Sequence, residues 1–186
     1  IAEIFCEEFM SYILASASPR RKELFSLIVP DFEVIPSDSG EKFNMSLFPE
    51  QVACSVAEGK CDEVFARHPD SVVVACDTIV VFEGEILGKP KDRADAERTL
   101  RRLSGKTHSV ISGVCVRKGQ RKLIEYDRPE VRFNELDDDF IKMYVDGGSP
   151  LDKAGSYGIQ DGGLVKDYVG SYTNVVGLPV SLVKKM

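Results

Sequence analysis

Asp77 sits inside the run Val72-Val73-Val74-Ala75-Cys76-Asp77-Thr78-Ile79-Val80-Val81-Phe82, the most apolar stretch of the chain. A β-rich run of this kind reads as a strand covered on both faces. An ionised carboxylate there is strongly disfavoured unless a cation or hydrogen-bond donors compensate it. Once compensated, it suits two chemical tasks: general base for water, and ligand to a hard divalent cation such as Mg²⁺ or Mn²⁺. Such a cation takes one or two carboxylates and completes its shell with phosphate oxygens. A purely structural ion pair is the competing use of the same residue. Glu41, in the polar stretch 37–46, is the best second carboxylate for a metal site.

The basic partners stand in constrained places. Ser16-Ala17-Ser18-Pro19-Arg20-Arg21 joins a short apolar strand to a helix opened by Pro19. The free N–H groups and partial positive charge of such a helix start attract phosphate, although Ser18 can equally cap those donors itself. Arg20 and Arg21 add guanidinium forks suited to phosphate oxygens. They leave the helix start in different directions, so one of them is expected to face a ligand. Lys60 shares an i, i+4 stripe with Val52, Val56 and Val64, where a fourth apolar residue would be expected. It either snorkels to water or meets Asp77. Lys89 between Gly88 and Pro90, and Lys153 before Ala154-Gly155, are further cations in turns. Gln160 ends the loop Gly155-Ser156-Tyr157-Gly158-Ile159, where glycine lets backbone approach a ligand. Its carboxamide offers both donors and an acceptor, matching the edge of a uracil or thymine ring without by itself selecting a base. His108 reads as a packed strand histidine, and Asp137-Asp138-Asp139 as a solvated helix start.

These residues must be held by an α/β framework. Strands are expected at 12–15, 32–36 and 72–82, and helices from Pro19 to before Pro30 and over about 49–66. Glu83-Gly84-Glu85 turns a hairpin, Asp92 caps a helix running to Leu103, and Gly105 stops it. Segments 108–116 and 123–133 form a second hairpin, 136–145 an amphipathic helix, and Pro179 opens a last helical turn. The alternation early in the chain and the hairpins later predict a mixed sheet flanked by helices, with two lobes around a cleft.

At 186 residues, 43% hydrophobic and 29% charged, the chain fits one globular domain over 1–186, with 1–11 as an N-terminal extension. A net charge of -6 disfavours nucleic acid as a partner while allowing a local basic pocket for a small polyanion. Five cysteines without a C-x-x-C pair, alongside two histidines, make no zinc motif and point to free thiols in the cytoplasm. No apolar run approaches a membrane span, and residues 1–10 lack the basic start of a signal peptide.

Six ordered blocks carry a resemblance: 15–24 (Ala-Ser-Ala-Ser-Pro-Arg-Arg-Lys-Glu-Leu), 76–80 (Cys-Asp-Thr-Ile-Val), 84–90 (Gly-Glu-Ile-Leu-Gly-Lys-Pro), 103–108 (Leu-Ser-Gly-Lys-Thr-His), 152–160 (Asp-Lys-Ala-Gly-Ser-Tyr-Gly-Ile-Gln) and 175–179 (Val-Val-Gly-Leu-Pro). In this order they resemble the Maf family of nucleotide pyrophosphatases, from about Tyr12 to Val180. The resemblance implies an ITPase-like α/β fold, commonly dimeric. It also implies hydrolysis of nucleoside triphosphates between the α and β phosphates with a divalent cation. Asp77 matches the family's catalytic carboxylate, and Arg20, Thr78 and Gln160 match positions tied to substrate choice. Glu41, Lys60 and Lys89 match charged positions of the phosphate and metal site. The Ile159-Gln160 ending looks like the dTTP/UTP branch, with a pyrophosphatase for 7-methyl-GTP or another modified purine nucleotide, or a non-catalytic nucleotide- or nucleic-acid-binding regulator of septum formation, as the alternatives. Cys76, where the family usually has alanine, and Gly148-Ser149, where an acidic residue is frequent, depart from the pattern.

Overall fold

The computed structural model describes residues 10–40, 43–44 and 46–186; most of the expected extension over 1–11, together with Glu41, lies outside them. The described residues form one mixed eight-stranded sheet flanked by helices. Strand β1 (Tyr12–Leu14) runs parallel to both β2 (Glu33–Val34) and the long β3 (Val72–Phe82). On its other edge β3 pairs antiparallel with β5 (Thr107–Lys118), which in turn carries β6 (Arg121–Asp127) and β7 (Glu130–Phe133); β8 (Val165–Val169) closes the order beyond β7. The hairpin partner of β3 is β4 (Glu85–Leu87), reached through Glu83 and Gly84 at φ 52° and 80°. Two consecutive positive φ values mark the turn whose twist suits a tight hairpin.

The helices are α1 (Pro19–Ser26), α2 (Pro49–Arg67), α3 (Arg93–Leu103), α4 (Asp138–Asp146), α5 (Tyr172–Val176) and α6 (Val180–Val183). Alternation along β3 divides its side chains between two environments. Val73 and Ala75 pack with Ala57, Cys61 and Val64 of α2, and Ile79 and Val81 with Ala53. On the opposite face Val74 and Cys76 meet Phe25, Leu178 and Val183, whereas Val80 and Phe82 join Leu100, Leu103, Ile141 and Val145. That second face therefore carries two separate apolar clusters, with Thr78 between them. This is the physical content of the two lobes.

Two elements differ from the sequence expectation. Segment 123–133 is broken at Arg128-Pro129 into β6 and β7, because proline brings no N–H to the ladder. Strand β8 emerges where only a glycine-rich loop was expected. Its residues past Val165 are exposed, so the apolar alternation that announces a half-buried strand is missing.

Candidate active site

The open edge of β3 creates the site. Strand β1 pairs with Val72–Val74 and β4 with Val80–Phe82, so residues 75–79 on that edge have no strand neighbour among the described residues. A cavity of about 430 Å³ lies there, beyond the carboxyl ends of the parallel strands β1 and β2, where open α/β sheets place ligands. Because the sheet is interrupted, side chains from both faces of β3 reach the same space.

Asp77 faces α2. It stands opposite Gly113 of β5, and a Cβ at Gly113 would fall 2.4 Å from the backbone of Ala53 and Cys54. Helix α2 thus lies directly against the sheet at this point, and the close approach carries Lys60 onto Asp77, with Lys60 Nζ donating to Oδ1 at 2.6 Å. The two side chains are 12% and 4% exposed, so Lys60 does not snorkel to solvent but compensates the buried anion. Oδ2 of Asp77 is buried and has no hydrogen-bond partner among the described residues, although Asp77 borders the cavity.

Thr78 points to the other face. Its Oγ1 accepts from Arg21 Nη2 at 3.1 Å, lies 2.9 Å from Ser112 Oγ and 3.4 Å from the Gly177 carbonyl. Arg21 also donates through Nε to Gly177 O at 2.8 Å and through Nη1 to Ser16 Oγ at 3.4 Å. One guanidinium therefore ties together α1, β3 and the end of α5. Ser16 Oγ additionally accepts from Ser18 N at 3.2 Å, and Ser18 Oγ caps α1 through Arg21 N at 3.4 Å, the capping role weighed above. Arg20 turns the other way, to Asp152, at 3.2 Å. Both arginines border the cavity, in place of the single one expected, because the atoms that bind Arg21 are themselves cavity wall.

The far wall is the glycine loop. Lys153 donates to Ser149 O, to Ser149 Oγ at 3.0 Å and to Asp152 Oδ1 at 2.9 Å. Partial burial works against ionisation of Asp152, yet the donors from Lys153 and Arg20 hold its carboxyl below the usual range. Gly155 N donates to Gly88 O at 3.1 Å, fastening the loop to the turn that carries Lys89. Gln160 is exposed at the cavity edge. Behind this wall His108 is buried, and burial lowers its pKa to about 4. It is the packed strand histidine that the sequence indicated.

Ser16, Ser18, Arg20, Arg21, Lys60, Asp77, Thr78, Lys89, Lys153 and Gln160 all line this one cavity. Glu41 lies outside the described residues, while the neighbouring Gly40 and Phe43 belong to the wall. Among the described lining residues five basic side chains face two carboxylates, on a chain whose net charge is -6. Such a pocket selects polyanions. Sequence reasoning missed Asp152 and Tyr157 as wall residues. Asp152 carried a signal, an acid beside Lys153 in a constrained turn, but Tyr157 reads as core from its neighbours.

The family model described as Maf-like protein matches residues 11–186. A dTTP/UTP pyrophosphatase of Bacillus velezensis is 47% identical over 171 residues, covering 91% of this chain and 90% of the relative. One from Thermococcus gammatolerans is 42% identical over 176 residues, covering 94% of each. Among solved structures, a HAM1 protein from Coxiella burnetii aligns with a TM-score of 0.48 at 14% identity, over 95% of this chain and 97% of that one. With a family model spanning nearly the whole chain and relatives this similar along their own length, the chain belongs to the Maf family.

Proposed function

We propose that this chain is a nucleoside triphosphate pyrophosphatase that converts dTTP and UTP to the monophosphate and pyrophosphate. The observation that carries the reading is Asp77: one carboxylate oxygen is held by Lys60, and the other is buried without a partner among the described residues, in the wall of a strongly basic cavity. The base assignment rests on Gln160 and on the substrates named for the relatives.

A nucleoside triphosphate carries about four negative charges near neutral pH. Arg20, Lys60, Lys89 and Lys153 offset that charge and align the chain of phosphates across the cavity. Asp77 orients a water in line with the α-phosphorus and accepts its proton. The new bond joins the water oxygen to the α-phosphorus, and the bond from that phosphorus to the α–β bridging oxygen breaks. Pyrophosphate leaves with its charge met by the same cations. Oδ2 of Asp77, with no partner among the described residues, fits a hard divalent cation, which would be held by Asp77 and Glu41. Mg²⁺ or Mn²⁺ bound there supplies further neutralisation of the phosphates. Arg21, Ser16, Ser18 and Thr78 shape the wall that receives the nucleotide.

We assign the working protein as a homodimer of single-domain chains in the cytoplasm. The unpaired cysteines 54, 61, 76 and 115 support a reducing compartment. No helix among the described residues is long and apolar enough to cross a membrane. The test is pyrophosphate release from UTP, dTTP, GTP and 7-methyl-GTP, with Mg²⁺ or Mn²⁺ and again with a chelator. Turnover of the pyrimidine triphosphates that stops on chelation supports the reading. Turnover of 7-methyl-GTP alone overturns the base assignment, and no turnover with either metal overturns the activity.

A further inference from the structure

His108 does not line the cavity, yet it is hydrogen-bonded to a residue that does. It is fixed on β5 opposite Val131 of β7, and its Nε2 lies 2.7 Å from the Tyr157 hydroxyl. The rings of His108, Phe133 and Tyr157 meet edge to face, with centroids 4.7 to 5.3 Å apart. Tyr157 itself is buried at the cavity wall.

The loop that Tyr157 anchors is fastened on its other sides through Gly155 N to Gly88 O at 3.1 Å and Gly158 N to the Tyr144 hydroxyl at 3.2 Å, and between these two points Tyr157 is its link to β5. Gly155 and Ser156 both have positive φ, 67° and 63°, and Ser156 is fully buried with its hydroxyl unpartnered among the described residues. A Cβ at Gly155 would fall 2.8 Å from Val80 Cγ2, so the loop is pressed onto β3. A non-glycine residue in this conformation persists only where the surroundings over-determine it. The element immediately after the strained pair is the Tyr157 ring, and the element after that is Gly158–Gln160 at the cavity edge.

We propose that His108 is a positioning residue for base choice: by holding the Tyr157 hydroxyl from behind the cavity it fixes the 155–160 loop, and with it Gln160, against the incoming nucleobase. This rests on the pyrophosphatase reading for its substrate but on the geometry behind the wall for its substance. His108 acts through Tyr157 and forms no bond to the nucleotide.

The experiment compares the wild-type chain with His108→Leu, His108→Gln and Tyr157→Phe, using kcat and KM for UTP, dTTP and GTP. Loss of the bond in His108→Leu is expected to reduce the wild-type base preference about tenfold in kcat/KM, mainly through KM. Tyr157→Phe, which keeps the ring and removes one oxygen, should do the same and remains informative if His108→Leu folds poorly. His108→Gln puts a carboxamide, able to donate or to accept, in place of the imidazole nitrogen that meets the Tyr157 hydroxyl and should restore most of the preference. A general structural role would instead lower turnover of all substrates together. Base preference within about twofold of wild type in both His108→Leu and Tyr157→Phe overturns the inference. A wild-type chain that prefers a purine overturns the pyrimidine assignment alone, since the variants are scored against whichever preference the wild type has. Should the wild type hydrolyse no triphosphate, amide hydrogen exchange over 155–160 decides. Exchange about tenfold faster in His108→Leu and recovered in His108→Gln supports positioning, and unchanged exchange overturns it.

Discussion

Replacing Asp77 by asparagine keeps the shape of the side chain and removes its charge, which separates a catalytic carboxylate from a structural one. The side chains of Lys60 and Asp77 are 12% and 4% exposed, so their pairing is a buried interaction. Deleting one partner of such a pair costs about 3–5 kcal/mol. Asparagine retains an oxygen at the position that accepts from Lys60 Nζ, so the expected loss is nearer 2 kcal/mol, with a melting temperature lower by about 4–8 °C for a chain of this size. Turnover should fall about a thousandfold, within the range for loss of a positioned general base. Binding gives an independent sign. One negative charge is removed from the cavity, and at an effective dielectric of about 20 and a separation of about 5 Å its repulsion of a phosphate amounts to at most about 3 kcal/mol. A non-hydrolysable UTP analogue, titrated calorimetrically with chelator present, should therefore bind Asp77→Asn more tightly than the wild type. Two results would refute the reasoning: a folded variant above a tenth of wild-type turnover, or weaker analogue binding in chelator. The second would make Asp77 a scaffold that arranges the cations.

Three further outcomes are expected. Gly113→Ala places a methyl group against the backbone of Ala53 and Cys54 in α2, so it should destabilise the chain by about 3 kcal/mol in denaturant titration. It should also lower turnover by moving Lys60 off Asp77. Gln160→Ala should reduce kcat/KM for UTP and dTTP about tenfold and leave a purine triphosphate nearly unaffected, as measured by pyrophosphate release. Burial holds His108 neutral at a folded pKa of about 4, below the 6.5 expected of an exposed ring. The unfolded chain thus takes up the proton first, so this contribution to stability is complete above about pH 6.5 and is lost as pH falls toward 4, by about 3 kcal/mol. Denaturation midpoints followed across that interval should show this slope in the wild type and lack it in His108→Gln.

The pairing of Asp77 with Lys60 was legible in the sequence because a carboxylate inside a β-branched run and a lysine in an apolar helical stripe each contradict their local pattern. Such contradictions mark charges that must find each other. Pro19, Asp92 and Gly105 likewise announced helix ends, because their backbone preferences act locally. The sequence could not place the site between faces. Asp77 and Thr78 project to opposite sides of β3, and they share one cavity only because β1 stops at Leu14 and β4 begins pairing at Val80. That gap is a property of strand pairing, which no single segment encodes. The nearness of α2 depends on Gly113, some fifty residues from the helix it admits, and Tyr157 at the cavity wall meets a partner on β5, about fifty residues away in the chain. Residue types and local spacing therefore determined which charged groups needed partners. Long-range packing decided which of them meet, since distances across a sheet follow from register and close approach and not from order along the chain.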